Sequence, residues 1–206
     1  MTAVDPRLAE NPRRAEHPID PLFLERWSPR AFTDDTIAEA ELLSLFEAAR
    51  WAPSAYNSQP WRFLYARRDT AHWATFLGLL APSNQSWANR AAALIVLVSD
   101  PVFLPPGAKQ PVTLRSHSLD AGAAWTSLAL QATRAGWRAH GIGGFDLQRA
   151  ATALNVPEGH RVELAIAIGR PGERSSLPEA LQGREFPSGR KPVAEFAFEG
   201  GFAAPG

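Results

Sequence analysis

The chain has 206 residues, 45% of them apolar and 20% charged, with 21 Lys plus Arg against 21 Asp plus Glu. That length holds one large domain or two small ones, and the balanced charge gives no global field for nucleic acid or an anionic membrane. Cysteine is absent, which excludes disulfides, thiolate catalysis, iron–sulfur clusters and cysteine-ligated zinc.

No apolar run approaches the roughly 20 residues that span a bilayer, and the N-terminal stretch lacks the apolar core of a signal peptide. A cytoplasmic enzyme or binding protein is the expectation. Residues 1–18 show no period and read as a loose arm. Leu22, Phe23 and Trp27 predict a short helix over 20–27 that leads into Arg26-Trp27-Ser28-Pro29-Arg30. Two arginines four apart, with a serine between, either converge on one anion or form a solvated turn.

Thr36 and Glu39 fit a capping box for the next helix, whose apolar stripe is Leu42, Leu45, Phe46 and Ala49. Pro53 ends it. The stretch from Trp51 to Trp61 then holds small and polar residues between Pro53 and Pro60, stiff at both ends. Asn57 and Gln59 there offer amides that can read a planar, polar ring edge. The bland alternative is a capped turn with its tryptophans in the core.

Residues 62–66 read as a strand and 71–80 as a helix, with Asn84 to Trp87 on a loop or helical turn. The unbroken apolar run from Ala91 to Val98 suits a strand buried on both faces. Pro101, Pro105, Pro106, Gly107 and Pro111 mark a loop long enough for a lid or an interface element. Residues 115–135 read as the longest helix, uncharged over 121–133 and therefore central. Strands over 137–142 and 161–169 flank a helix over 147–154. The sum is α+β, a small mixed or antiparallel sheet covered by helices.

From 170 onward proline and glycine forbid regular structure until Val193 to Phe198, which reads as a strand with phenylalanines on one face. Such an arm either crosses to a second copy of the chain or folds back on its own domain. The whole is a single domain, 1–206, with arms at 1–18 and 170–206.

Gly141 and Gly143 fit the start of a dinucleotide fingerprint, but Asp146 stands where its third glycine belongs. There is no P-loop and no G-x-S-x-G elbow. His17, His72, His117, His140 and His160 are scattered, without metal-ligand spacing, and read as ordinary histidines. No nucleophile or acid–base pair stands out, so a cofactor would carry any chemistry and no metal is expected.

Five blocks, in order, resemble the nitroreductase family of flavin enzymes. They are Arg26-x-Ser28-x-Arg30; Ala52-Pro53-Ser54-Ala55-x-Asn57-x-Gln59-Pro60-Trp61; Gly141 to Asp146; Gly169-Arg170-Pro171; and Arg190-Lys191-Pro192. The resemblance implies a homodimer with FMN at the subunit interface and a C-terminal arm exchanged between protomers. It implies that Arg26, Ser28, Arg30 and Arg190, helped by Lys191, hold the FMN phosphate. Pro53, Ser54, Ala55 and Asn57, with Gln59 adjoining, would contact the isoalloxazine and ribityl groups, and the Asn84 amide would face the flavin. Backbone N–H groups of Gly143 and Gly144 would reach flavin N5 and O4, although some relatives carry Glu at the position of Gly143. The implied reaction is ping-pong: hydride passes from NAD(P)H through N5 to a small acceptor such as a nitroaromatic or quinone, with no catalytic side chain. Alternatives are a dehydrogenase or flavin-modifying enzyme of the same fold, or a non-catalytic flavin-binding protein.

Overall fold

A computed structural model describes residues 11–202. Its first half runs α1 (Leu22–Glu25), α2 (Glu39–Arg50), β1 (Trp61–Arg67), α3 (Trp73–Leu79), α4 (Pro82–Ala88) and β2 (Ala93–Ser99). Then come β3 (Val102–Phe103), β4 (Val112–Thr113), α5 (His117–Arg134), β5 (Arg138–Ile142), α6 (Leu147–Ala153), β6 (Arg161–Gly169) and α7 (Glu179–Gln182).

Burial of β2 on both faces decides the architecture. Ala93, Ile95 and Leu97 enter one apolar cluster, and Leu94, Val96 and Val98 enter the other. β6 alternates the same way beside it, Ile166 and Ile168 to the first cluster, Ala165 and Ala167 to the second. The sheet order is β1-β2-β6-β5 with every pairing antiparallel, so the sheet is antiparallel rather than mixed. α2 and α5 cover the first face, and α3, α4 and α6 cover the second. α5 lies against α2 and the sheet through Leu128 and through Ala121, Ala124, Ala129 and Ala132, alanines that let backbones approach closely. No helix among the described residues is long and apolar enough to cross a membrane.

Four local readings of the sequence need revision or refinement. α2 is not opened by Thr36: its N-cap is Ala38, whose N–H donates to Glu41 Oε2 at 3.3 Å. Ile37 before the cap and Leu42 in the first turn are both buried, so an apolar staple sets the register where a threonine hydroxyl was expected to. The 101–113 loop contains the β3–β4 hairpin. Asn84 to Trp87 lie within α4.

Residues 193–198 are not a strand. Val193–Glu195 forms a 3-10 turn closed by Glu195 N–H to the Pro192 carbonyl at 3.0 Å. The fixed φ of Pro192 starts that turn, and the segment pairs with neither open edge of the sheet, β1 or β5.

The start of the C-terminal arm docks on its own domain. Phe32 bridges Pro171, Thr33 N–H donates to the Arg170 carbonyl at 3.0 Å, and Gly172 N–H donates to the Ala31 carbonyl at 2.8 Å. Phe32 therefore lies across the end of β6, where a Cβ on Gly169 would sit 2.5 Å from its ring. Gly169→Ala should displace Phe32 and destabilise the fold by about 1–3 kcal/mol, measured by urea unfolding. A variant as stable as the parent would mean that the ring moves aside freely.

Candidate functional site

α1 ends at Glu25, and the next five residues turn their backbone into a buried Pro29. Arg26, Ser28 and Arg30 line one hollow of about 360 Å³, together with Arg13, Arg184, Arg190 and His140. Arg26 donates to Ser28 Oγ at 3.3 Å. The arginines feel one another. Burial, then Arg190, lowers the Arg26 pKa; burial, then Arg190 and Arg26, lowers Arg13 to about 10. Burial is also the main cause for Arg30, where Glu185 opposes the shift and Arg184 adds to it. Crowded guanidiniums of this kind are a receptor for an anion.

Two buried groups hold this cationic loop. Glu185, from the arm, accepts the N–H of Arg30 and of Ala31, both at 2.8 Å on Oε1. One carboxylate oxygen is thus committed to backbone while Oε2 is buried without a hydrogen-bond partner, and burial raises the pKa against the pull of those amides. From β5, His140 Nδ1 donates to the Pro29 carbonyl at 2.9 Å, and its ring packs on Trp87 with centroids 4.7 Å apart. Burial pushes His140 down to about 4, so the ring is neutral and adds no further charge to the cluster.

The next residue of β5, Gly141, points to the opposite face and borders a second hollow with Arg26, Ser28, Trp125 and Leu164. Beyond it the chain carries Gly143 and Gly144. Neither N–H donates a hydrogen bond to a described residue, and a Cβ on Gly143 would meet nothing within 4 Å. The Gly144 carbonyl accepts from Ala81 N–H at 3.0 Å and from Asn84 Nδ2 at 2.9 Å. A Cβ on Gly144 would sit 2.7 Å from that Asn84 nitrogen, so close bracing requires glycine. Asn84 Oδ1 also accepts from Trp87 Nε1 at 3.3 Å, so its amide braces the glycine segment. Asp146, which spoils the dinucleotide fingerprint, caps α6 by accepting Arg149 N–H at 2.9 Å.

The 53–60 loop is strained. Tyr56, Asn57 and Gln59 have φ of 54°, 53° and 49°, a region that costs a tyrosine or glutamine roughly 1–3 kcal/mol each. Asp120 on α5 anchors the loop: its Oδ2 accepts Ala55 N–H and Ser116 O–H, each at 3.1 Å. Ser54 Oγ accepts Gln59 N–H at 3.0 Å, which leaves its own proton free to donate outward. The Asn57 side chain makes no hydrogen bond to a described residue and lies exposed. Trp61 is buried, but Trp51 is 74% exposed, so the loop is not a plain turn over a tryptophan core. Pro53, Ser54 and Ala55 line a separate cavity of about 680 Å³ against α5.

Within the single chain, then, Arg26, Ser28, Arg30 and Arg190 converge, and Lys191 lines the adjoining cleft while facing Glu195 at 3.7 Å. The Pro53, Ser54 and Ala55 set lies apart from them, and Asn57, Gln59, Asn84, Gly143 and Gly144 line none of these hollows. Asp120, His140 and Glu185 had no sequence signal beyond being polar; only the fold buries them. No group of three or more metal-ligating side chains occurs among the described residues.

The nitroreductase family profile matches residues 24–81 and 67–170. A crystal structure described as an oxidoreductase containing FMN is 46% identical, with a TM-score of 0.90 over 95% of this chain and 98% of that one. A nitroreductase candidate from Desulfovibrio desulfuricans in complex with FMN is 26% identical, with a TM-score of 0.67 over 92% and 100% of the two chains. NADH dehydrogenase of Thermus thermophilus is 28% identical over 177 residues, 73% of this chain and 85% of the relative.

His140 gives the site a pH limit. Its folded pKa, about 4, lies below the ordinary 6.5, so the stability linked to its neutral form is full above pH 6.5 and lost as pH falls toward 4. Between pH 7 and 4.5 the protein should lose about 2–3 kcal/mol more stability than a His140→Gln variant, measured by denaturant unfolding at each pH. Equal acid sensitivity in the two proteins would refute the buried neutral ring.

Proposed function

The chain belongs to the nitroreductase family, and on that premise we propose that it is an FMN-dependent oxidoreductase, passing a hydride from NAD(P)H to a small acceptor such as a nitroaromatic or quinone. The observation that carries this reading is the arginine cluster: several cations around one hollow, whose nearest buried carboxylate, Glu185, is turned onto backbone amides. That donor set fits a terminal phosphate. The unpartnered amides of Gly143 and Gly144, with open space at Gly143, fit the polar edge of a ring. When bound, FMN supplies the hydride relay at N5, used first by the nicotinamide and then by the acceptor.

The chain's own part is to bind and orient. Arg26, Arg30 and Arg190 would neutralise the phosphate and Ser28 would donate a hydrogen bond to it, with Lys191 adding charge at the mouth. Amides at Gly143 and Gly144 would donate to the electron-rich edge, where a fixed dipole stabilises developing charge. Asn84 holds those amides in place through the Gly144 carbonyl. The 53–59 loop presents Pro53, Ser54, Ala55, Asn57 and Gln59 away from the arginine hollow of its own protomer, an arrangement that suits a site shared by two copies of the chain. A homodimer also suits the tail, because Phe196, Phe198 and Phe202 are 62%, 46% and 87% exposed in the single chain. Arg190 lies beside Arg26 of its own chain and Val193 N–H donates to Glu16, so the part of the arm free to be exchanged is the tail beyond Val193.

Purified protein should release FMN, not FAD, on denaturation, and its colour should bleach anaerobically with NADH or NADPH. Arg26→Ala and Arg190→Ala should each weaken FMN binding roughly ten- to a hundredfold, the loss of one charge-assisted contact of about 1.5–3 kcal/mol. Gly143→Val should fold normally, since nothing crowds that position, yet hinder FMN by intruding above the amides. Unchanged affinity in the arginine variants would place the phosphate elsewhere. Deleting residues 194–206 should loosen the dimer, since burial of two phenylalanines contributes about 3–6 kcal/mol per arm. Deleting 188–206 should lose FMN as well. Light scattering and flavin content decide it: a flavin-loaded dimer after the longer deletion would refute the arm's role.

A further inference from the structure

We propose that Arg13 is a positioning residue for the anion site: it latches the C-terminal arm onto the loop after α1, so that Arg190 faces Arg26. The proposal rests on the FMN reading above and extends it to a segment, 11–19, that the family profile does not match.

Residues 11–19 carry no regular element, yet they are tied down at several points. Arg13 Nε donates to the Ser188 carbonyl of the arm at 2.8 Å. Its NH1 donates to the carbonyls of Leu24 at 3.1 Å and Arg26 at 2.7 Å. One planar fork thus spans two segments more than 160 residues apart in sequence. The fork is itself aimed by Asn11, which accepts Arg13 N–H at 3.2 Å and donates to the Leu24 carbonyl at 2.9 Å. Glu16 adds a second tie to the arm by accepting Val193 N–H at 2.9 Å.

Arg190 follows Ser188 by two residues, and its NH1 bonds only within its own turn: Ser188 carbonyl and Oγ, and the Gly189 carbonyl. Nothing on Arg190 itself therefore holds that turn against Arg26; the Arg13 contact with Ser188 does so on one side, and Glu16 anchors Val193 on the other. Electrostatics argue that this latch is more than a strap. Arg13 makes no ion pair with a described residue, and burial, together with the neighbouring Arg190 and Arg26, depresses its pKa. A neutral donor could join the same carbonyls without that repulsion. A guanidinium is suited to the position when an anion arrives to relieve the crowding.

FMN titration of full-length apoprotein tests the idea, comparing the parent with Arg13→Ala, Arg13→Lys, Arg190→Ala and the Arg13→Ala/Arg190→Ala double variant. Lysine keeps the charge but not the fork. Both Arg13 variants should bind FMN about tenfold more weakly. In the Arg190→Ala background the Arg13→Ala change should cost less than about twofold, because the two residues act as one unit. In the apoprotein, hydrogen exchange at residues 188–193 should quicken in both Arg13 variants. Full rescue by lysine, additive losses, or unaltered exchange would each overturn the latch. A parent protein that binds no FMN would refute the cofactor reading, and the exchange result would still decide whether Arg13 holds the arm.

Discussion

Like-charge repulsion is the constraint around which this protein is arranged. Arg13, Arg26, Arg30, Arg184 and Arg190 border one hollow, and left to themselves they would swing apart into solvent. The fold holds them mainly through backbone, with Glu185 offsetting part of the charge at Arg30. Glu185 takes two amides of the loop, His140 takes the Pro29 carbonyl, and Phe32 fastens the next residues across the end of β6. A salt bridge to each arginine would have been simpler, but it would have used up the positive charge that an anion needs. The neutrality of His140 belongs to the same logic, since a charged ring there would add to the crowding.

Strain is stored at a second place, the loop between α2 and β1. Three residues without the licence of glycine take left-handed conformations there, and the exposed ring of Tyr56 stacks on Phe103 of the β3–β4 hairpin at 6.3 Å. Asp120, buried at the start of α5, supplies the restraint. Because α5 also packs on α2 and the sheet, the loop's shape is referred directly to the core. A loop fixed in this way keeps its polar groups pre-aimed, and a ligand then meets them without an ordering cost.

What the sequence made legible followed from periodicity and proximity. β2 was visible as an unbroken apolar run, β6 as a stretch rich in Val, Leu and Ile, α5 as a long helix uncharged over 121–133, and the family blocks as short local spacings. Their locations needed no tertiary information. The cap of α2 was misplaced because Thr36 fits a local rule that the burial of Ile37 overrides. The tail from Val193 to Phe198 was read as a strand from alternating apolar residues, yet a strand needs an edge to pair with as well as a pattern. Glu185, His140 and Asp120 were silent for a related reason. Each acts on a residue at least 65 positions away, and single-chain spacing carries no trace of such pairs.

The Glu185 contact with Arg30 also sets an order of events in the making of the protein. Its two ends are 155 residues apart, and the entire sheet lies between them. At about 5–20 residues per second, a nascent chain spends roughly 8–30 s with the arginine loop synthesised and its keeper still untranslated. During that interval the sheet core can close, but the anion hollow cannot take its final shape. Closure of the anion hollow is thereby deferred until residue 185 has been made, and a product truncated before it would lack the carboxylate that fixes the arginine loop.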